Sequence, residues 1–208
     1  MTNTIALSGL IGSALLLPAL AMAGPQDISS EARSVMERSF AAKGQAGMDR
    51  LEQDDIQRAC SKTPDAEPPG FDETEQMMAL EAASIRYPEN GALSGDWQEG
   101  EKIAQYGRGM QFSDDPAARV GGNCYACHQL SKTEVAYGTI GPSLYQYGTL
   151  RGNDPETLRT TYAKIYNPQA FLPCSNMPRF GHKGILTQEQ IGHLVALLHD
   201  PDSPVNAE

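Results

Sequence analysis

Where hydrophobic and polar positions along this chain show a period, the period is helical. The clearest case lies near the C terminus. Ile191, Leu194, Val195 and Leu198 fall at i, i+3, i+4 and i+7, behind a Thr187–Gln190 pair spaced as a capping box. This predicts an amphipathic helix of about a dozen residues. Upstream, Asp154 precedes "PETLRTTYAKIY", which places Pro155 at the first helical position, where its missing N–H costs nothing. "SGDWQEGEKIAQYGRGMQF" offers Ser94 or Asp96 as a cap, Trp97, Ile103, Ala104 and Tyr106 for burial, and Gly107 or Gly109 as a stop. Residues 72–86 predict a further helix with Met77, Leu80 and Ile85 along its inner side, closed by Pro88 and Gly91. Residues 29–60 read as helix capped by Ser30, with a break at Gly44 and Gly47. No stretch alternates as a half-buried strand would, so the expected fold class is all-α.

The segments between these helices are rich in turn formers. "SKTPDAEPPG" (61–70) is loop, residues 113–123 carry Pro and Gly, and residues 137–153, with Gly138, Gly141, Pro142, Gly148 and Gly152, cannot stay regular for long. The chain opens differently. Its first charged side chain is Asp27, and the apolar run before it ends in Ala21-Met22-Ala23, the form of a secretory signal cleaved after Ala23. No Lys or Arg lies near the start, which departs from the usual signal, and an uncleaved membrane anchor is the alternative.

A formal charge of −10 over 208 residues, with no basic cluster, excludes a nucleic-acid partner and repels anionic membranes. The acidic run at 52–55 reads as a solvated face. Trp97, Tyr145 and Tyr147 read as core packing before interface.

The chemistry is concentrated in "GGNCYACHQL" (121–130). Cys124 and Cys127 lie one turn apart with His128 directly after, the Cys-x-x-Cys-His sequence of covalent c-type haem attachment. Two thiols on one turn can add to the two vinyl groups on one porphyrin edge, and the adjacent imidazole then reaches the iron. Zinc would want a second paired motif, which the sequence lacks. A thioredoxin-like redox pair would want a preceding strand.

Haem iron has a second axial position, and the chain holds eight methionines and four histidines. Met177 stands in "PCSNMPRFG", a loop restrained by Pro173 and Pro178 just before the terminal helix, where a weakly donating thioether is best held. His182 and Met110 are its competitors, and His193 and His199 read as ordinary members of the last helix and its exit. Between the two ligand candidates, Pro142 of "GTIGPSL" could accept the other N–H of His128, or simply form a turn. Cys60 and Cys174 form an even pair in an exported chain and are expected to be disulfide-bonded, which would fix the loop three residues ahead of Met177. The alternative is a reactive Cys174 that handles sulfur near the haem.

In that order, the haem motif, Gly-Pro-x-Leu turn, methionine loop and closing helix make residues 93–202 similar to a class I cytochrome c domain. More closely, "GDWQEGEKIAQYGRGMQFSD", "GGNCYACHQL", "YGTIGPSLYQYGTLRG" and "CSNMPRFGHKGILT" resemble the SoxX subunits of the SoxAX cytochromes of bacterial sulfur oxidation, and the resemblance includes "ACSK" at 59–62. Together with the signal peptide (1–23) read above, the chain then divides into a helical N-terminal extension (24–92), a cytochrome c domain (93–202) and a short tail (203–208). The implied protein is a periplasmic heterodimer with a SoxA-like haem subunit that couples thiosulfate oxidatively to a cysteine of a SoxYZ-like carrier, an L-cysteine S-thiosulfotransferase complex. In that complex the catalytic cysteine belongs to the partner. This chain carries no catalytic residue and holds one covalent haem, with Cys124 and Cys127 as attachment points and His128 and Met177 on the iron. It passes electrons to a soluble cytochrome, without nucleic acid and, after cleavage, without membrane. A free periplasmic electron shuttle between a dehydrogenase and a terminal oxidase is the alternative function.

Overall fold

A computed structural model describes residues 25–61 and 70–207. The expected signal with its Ala23 cleavage point, and most of the 61–70 loop, lie outside the described residues. The chain divides into two compact units at Ala41/Ala42. Of the first, the described residues 25–41 consist of helix α1 (Pro25–Ser39) and the two residues after it. It starts at Pro25, so Ser30 is an interior residue and not the expected cap; proline is well suited to a first helical position. Arg33 pairs with Glu37 and Arg38 donates to Ser34, each one turn away along the helix.

The second unit begins with a turn closed by reciprocal Lys43–Ala46 backbone hydrogen bonds, then a short 3-10 turn and α2 (Asp55–Cys60). The chain does break at Gly44 and Gly47, but it resumes as these two short pieces instead of one helix. The reason is a capping box that starts α2 afresh: Asp54 accepts from Gln57 N, and the Gln57 side chain accepts from Asp54 N. Helix α3 (Phe71–Ala83) follows. Leu80, expected inside, is 71% exposed; Met77 and Met78 are half-buried, and Ile85 reaches the core only after the helix has ended at Ser84.

Then come α4 (Trp97–Gln105), α5 (Tyr147–Arg151), α6 (Pro155–Tyr166) and α7 (Gln188–His199). Asp96 caps α4, Asp154 caps α6, and Thr187 with Gln190 forms the capping box of α7. The short α5 was not apparent from its Gly-rich sequence. Helices α4 and α7 cross closely enough that a Cβ on Gly100 would lie 2.1 Å from His193 O. Around that crossing Ile103, Ala104, Tyr162, Ile165, Ile191, Leu194, Val195 and Leu197 close the core, with Trp97 and Tyr147 packed against it. His199 is buried at the exit of α7, where it meets Thr161 of α6 and the 152–153 turn. Among the described residues there is no strand, only the isolated Lys43–Ala46 bridge, and no helix is long and apolar enough to cross a membrane.

Candidate functional site

Cys124, Tyr125 and Ala126 form a single 3-10 turn entered through Asn123, whose φ of 47° is left-handed. The turn is tied back by Cys127 N and His128 N, both donating to Cys124 O. One turn thus carries both thiols and delivers the imidazole. Segment 138–144 runs alongside it, held by three backbone hydrogen bonds: Gly138 N to Tyr125 O, Gly141 N to Cys127 O and Leu144 N to Gln129 O. This register brings Pro142 O within 2.7 Å of His128 Nδ1. A carbonyl can only accept, so Nδ1 carries the hydrogen, and Nε2 is left with its lone pair free for a metal. Gly141 supplies the clearance, since a Cβ there would stand 2.2 Å from His128 Cε1.

Cys124 and Cys127 are not joined to one another. Burial pushes the Cys124 thiol up to about 12, and Cys127 adds to the effect. A neutral, desolvated thiol is a poor redox nucleophile, which argues against a thioredoxin-like pair. Among the described residues no three His, Cys, Asp or Glu side chains gather as a metal cluster.

Met177 packs against the same core cluster as Cys124. The two regions meet beside Gly122: a Cβ there would lie 3.2 Å from Cys124 Sγ, 3.7 Å from Leu186 Cδ1 and 3.8 Å from Phe180 Cε1, so residues just beyond Met177 approach the first thiol. The rival His182 is engaged elsewhere, as are the two other histidines. His182 Nδ1 meets Ser84 Oγ at 2.9 Å, His193 Nδ1 accepts from Asp96 N at 2.8 Å, and buried His199 bridges Thr161 and Gly152 O. Met110 sits in a left-handed turn whose carbonyl accepts from Arg50.

Cys60 and Cys174 are disulfide-bonded, with Cα atoms 5.4 Å apart, and the reactive-Cys174 alternative falls with that bond. Beside it lies a contact the sequence did not reveal. Arg179, with its side chain only 4% exposed, reaches Asp54 Oδ2 at 2.6 Å and Glu81 Oε2 at 3.4 Å, and Lys183 joins the same Asp54 oxygen at 2.6 Å. Burial alone would raise the Asp54 carboxyl, but Lys183 and Arg179 bonded to it hold it down at about 2. The 52–55 run is therefore not simply a solvated face. The only local signal was the Asp54-x-x-Gln57 capping spacing.

Residues 116–200 match the family described as cytochrome c. An uncharacterized lipoprotein of Aquifex aeolicus (strain VF5) is 43% identical over 155 residues, which span 74% of this chain and 73% of that protein. The chain belongs to one family with that protein, and its haem region is a cytochrome c domain: this is a c-type cytochrome, all-α, with covalently attached haem and an electron-transfer role.

The residues present fit that group. They supply two unpaired thiols on one turn, an imidazole with its tautomer fixed, and large apolar side chains standing exposed at Ile140 and Leu172, next to the Pro142 turn and in the Met177 loop. Bound, the haem supplies a one-electron iron couple.

Proposed function

We propose that Cys124 and Cys127 hold the haem by thioethers, that His128 and Met177 ligate its iron, and that Pro142 orients His128. The chain then serves as the electron-transfer subunit of a SoxAX-type periplasmic complex that couples thiosulfate to a carrier-protein cysteine. Forming that sulfur–sulfur bond releases two electrons, which must leave one at a time through a site that does not itself bind sulfur. The observation that carries the relay role is the state of the cysteines. The chain has four; two are committed to the haem turn and two are joined to each other, so no thiol remains to carry sulfur. Sulfur chemistry then belongs to a partner, and this chain takes electrons from that partner's site and hands them to a soluble cytochrome.

The domain division 1–23, 24–92, 93–202 and 203–208 belongs to the same reading, with residues 1–23 removed on export. Export is supported by the naming of the Aquifex relative as a lipoprotein and by the Cys60–Cys174 bridge, which persists in an oxidising compartment. The SoxX assignment rests on the four sequence blocks that resemble that subunit.

Protein purified from its native host should elute as a heterodimer with a second, haem-bearing chain. It should be reduced when thiosulfate and the thiol-bearing carrier are added together. A lone species with the mass of one mature copy of this chain, indifferent to thiosulfate, would replace this reading with the free shuttle.

A further inference from the structure

The loop that carries Met177 has little structure of its own. Between α6 and α7, residues 172–178 form neither helix nor strand. Ser175 N to Leu172 O and Met177 N to Ser175 Oγ hold that stretch from within, and Pro178 has no N–H to give. What fixes it comes from the segment 54–84, about a hundred residues earlier in the chain. Three residues before Met177, Cys174 is bonded to Cys60 of α2. Two residues after it, the buried Arg179 guanidinium is held between Asp54 at the cap of α2 and Glu81 of α3. Further on, Lys183 also reaches Asp54, and His182 meets Ser84. At the far end Asn167 donates to Glu81 Oε2 at 2.7 Å.

We infer that Asp54, acting through Arg179, and Cys60, acting through Cys174, are positioning residues for Met177: the short helices α2 and α3 are the frame that keeps its thioether in the ligating position. This rests on the reading of Met177 as the sixth ligand. The physical reason is that a thioether is a weak donor, and a weak donor remains bound only where the backbone on both sides cannot move away. A buried guanidinium gives that stiffness, because it is costly to move off its carboxylates. The placement is also specific. The covalent tie and the ionic tie bracket Met177 at −3 and +2, and both end on α2 within six residues of one another.

Asp54→Asn is the sharpest variant, because asparagine is as good an N-cap as aspartate and preserves α2 while withdrawing the charge from Arg179 and Lys183. The Cys60→Ser/Cys174→Ser double variant cuts the other tie. Haem-loaded, full-length proteins are compared by the far-red thioether-to-iron absorption band of the ferric form and by cyanide binding. Wild type should show the band and take cyanide poorly. Each variant should lose band intensity and bind cyanide roughly 10–100-fold more readily, the range found when groups supporting a metal ligand are removed, and Asp54→Glu should recover part of the loss. If wild type shows the band and both variants keep it, with unchanged cyanide binding and only a lowered unfolding midpoint, the ties are structural and the proposal is overturned. If wild type itself lacks the band, it is the Met177 reading that fails.

Discussion

Gly141 shows how closely single atoms determine this site. Its backbone N–H donates to Cys127 O, and the space where its Cβ would stand is filled by the His128 ring. Gly141→Ala should push the imidazole off Pro142 O at a cost of about 1–3 kcal/mol, the usual penalty for overpacking, and lower the yield of haem-loaded protein. Unfolding midpoints and haem absorbance per polypeptide would register both effects; an alanine variant with wild-type values in both would contradict the account of the turn. Pro142 was readable as a partner of His128, because a metal-bound imidazole requires an acceptor and the Gly-Pro turn follows closely. The need for glycine at 141 was not, since a glycine in a turn can serve its own backbone as well as a neighbour. His182 looked like a rival ligand for a similar reason: its partner Ser84 lies 98 residues away in sequence.

Among the elements, what was legible followed local chemistry. Helix α7 was readable because its cap, its apolar stripe and its burial all coincide in one short segment. Helix α6 was readable from Asp154-Pro155. Helix α3 was misjudged at Leu80 because its tie to the rest of the unit is polar: Glu81 accepts from Asn167 and Arg179, while Leu80 faces solvent. Helix α2 lies within the expected 29–60 helix, but its fresh start at Asp54 was not readable: besides buried Ile56, its anchor is an ion pair 125 residues distant in sequence. That anchor has a pH signature. The Asp54 carboxyl sits at about 2 in the fold against 3.8 unperturbed. A depressed carboxyl stabilises fully above its unfolded value and loses that contribution as pH falls through its folded value. Asp54 should therefore contribute roughly 2 kcal/mol near neutrality, fading between about pH 4 and pH 2; the partial exposure of the pair makes this an upper figure. Urea titrations should show wild type more stable than Asp54→Asn near neutral pH and the gap closing at about pH 2. A gap that is constant with pH would contradict the ion pair.

At the scale of the whole molecule, the described residues between 42 and 92 belong to the same compact unit as the haem region. The Cys60–Cys174 bridge closes 114 residues of sequence and contributes about 4–5 kcal/mol in the chain-entropy account. The all-α class and the covalent cofactor were both legible, the first from the lack of any strand period and the second from five residues. The weave of α2 and α3 onto the methionine loop was not, since no local rule pairs Asp54 with Arg179. Everything functional depends on one covalent attachment. The most direct test is acid–acetone extraction of the purified protein, with the absorbance of the precipitated polypeptide measured for wild type and for a Cys124→Ala/Cys127→Ala double variant. The pigment should stay with the wild-type chain and be extracted from, or missing in, the double variant. Colour that leaves the wild-type chain, or that stays bound to the variant, would contradict the haem attachment proposed for this turn.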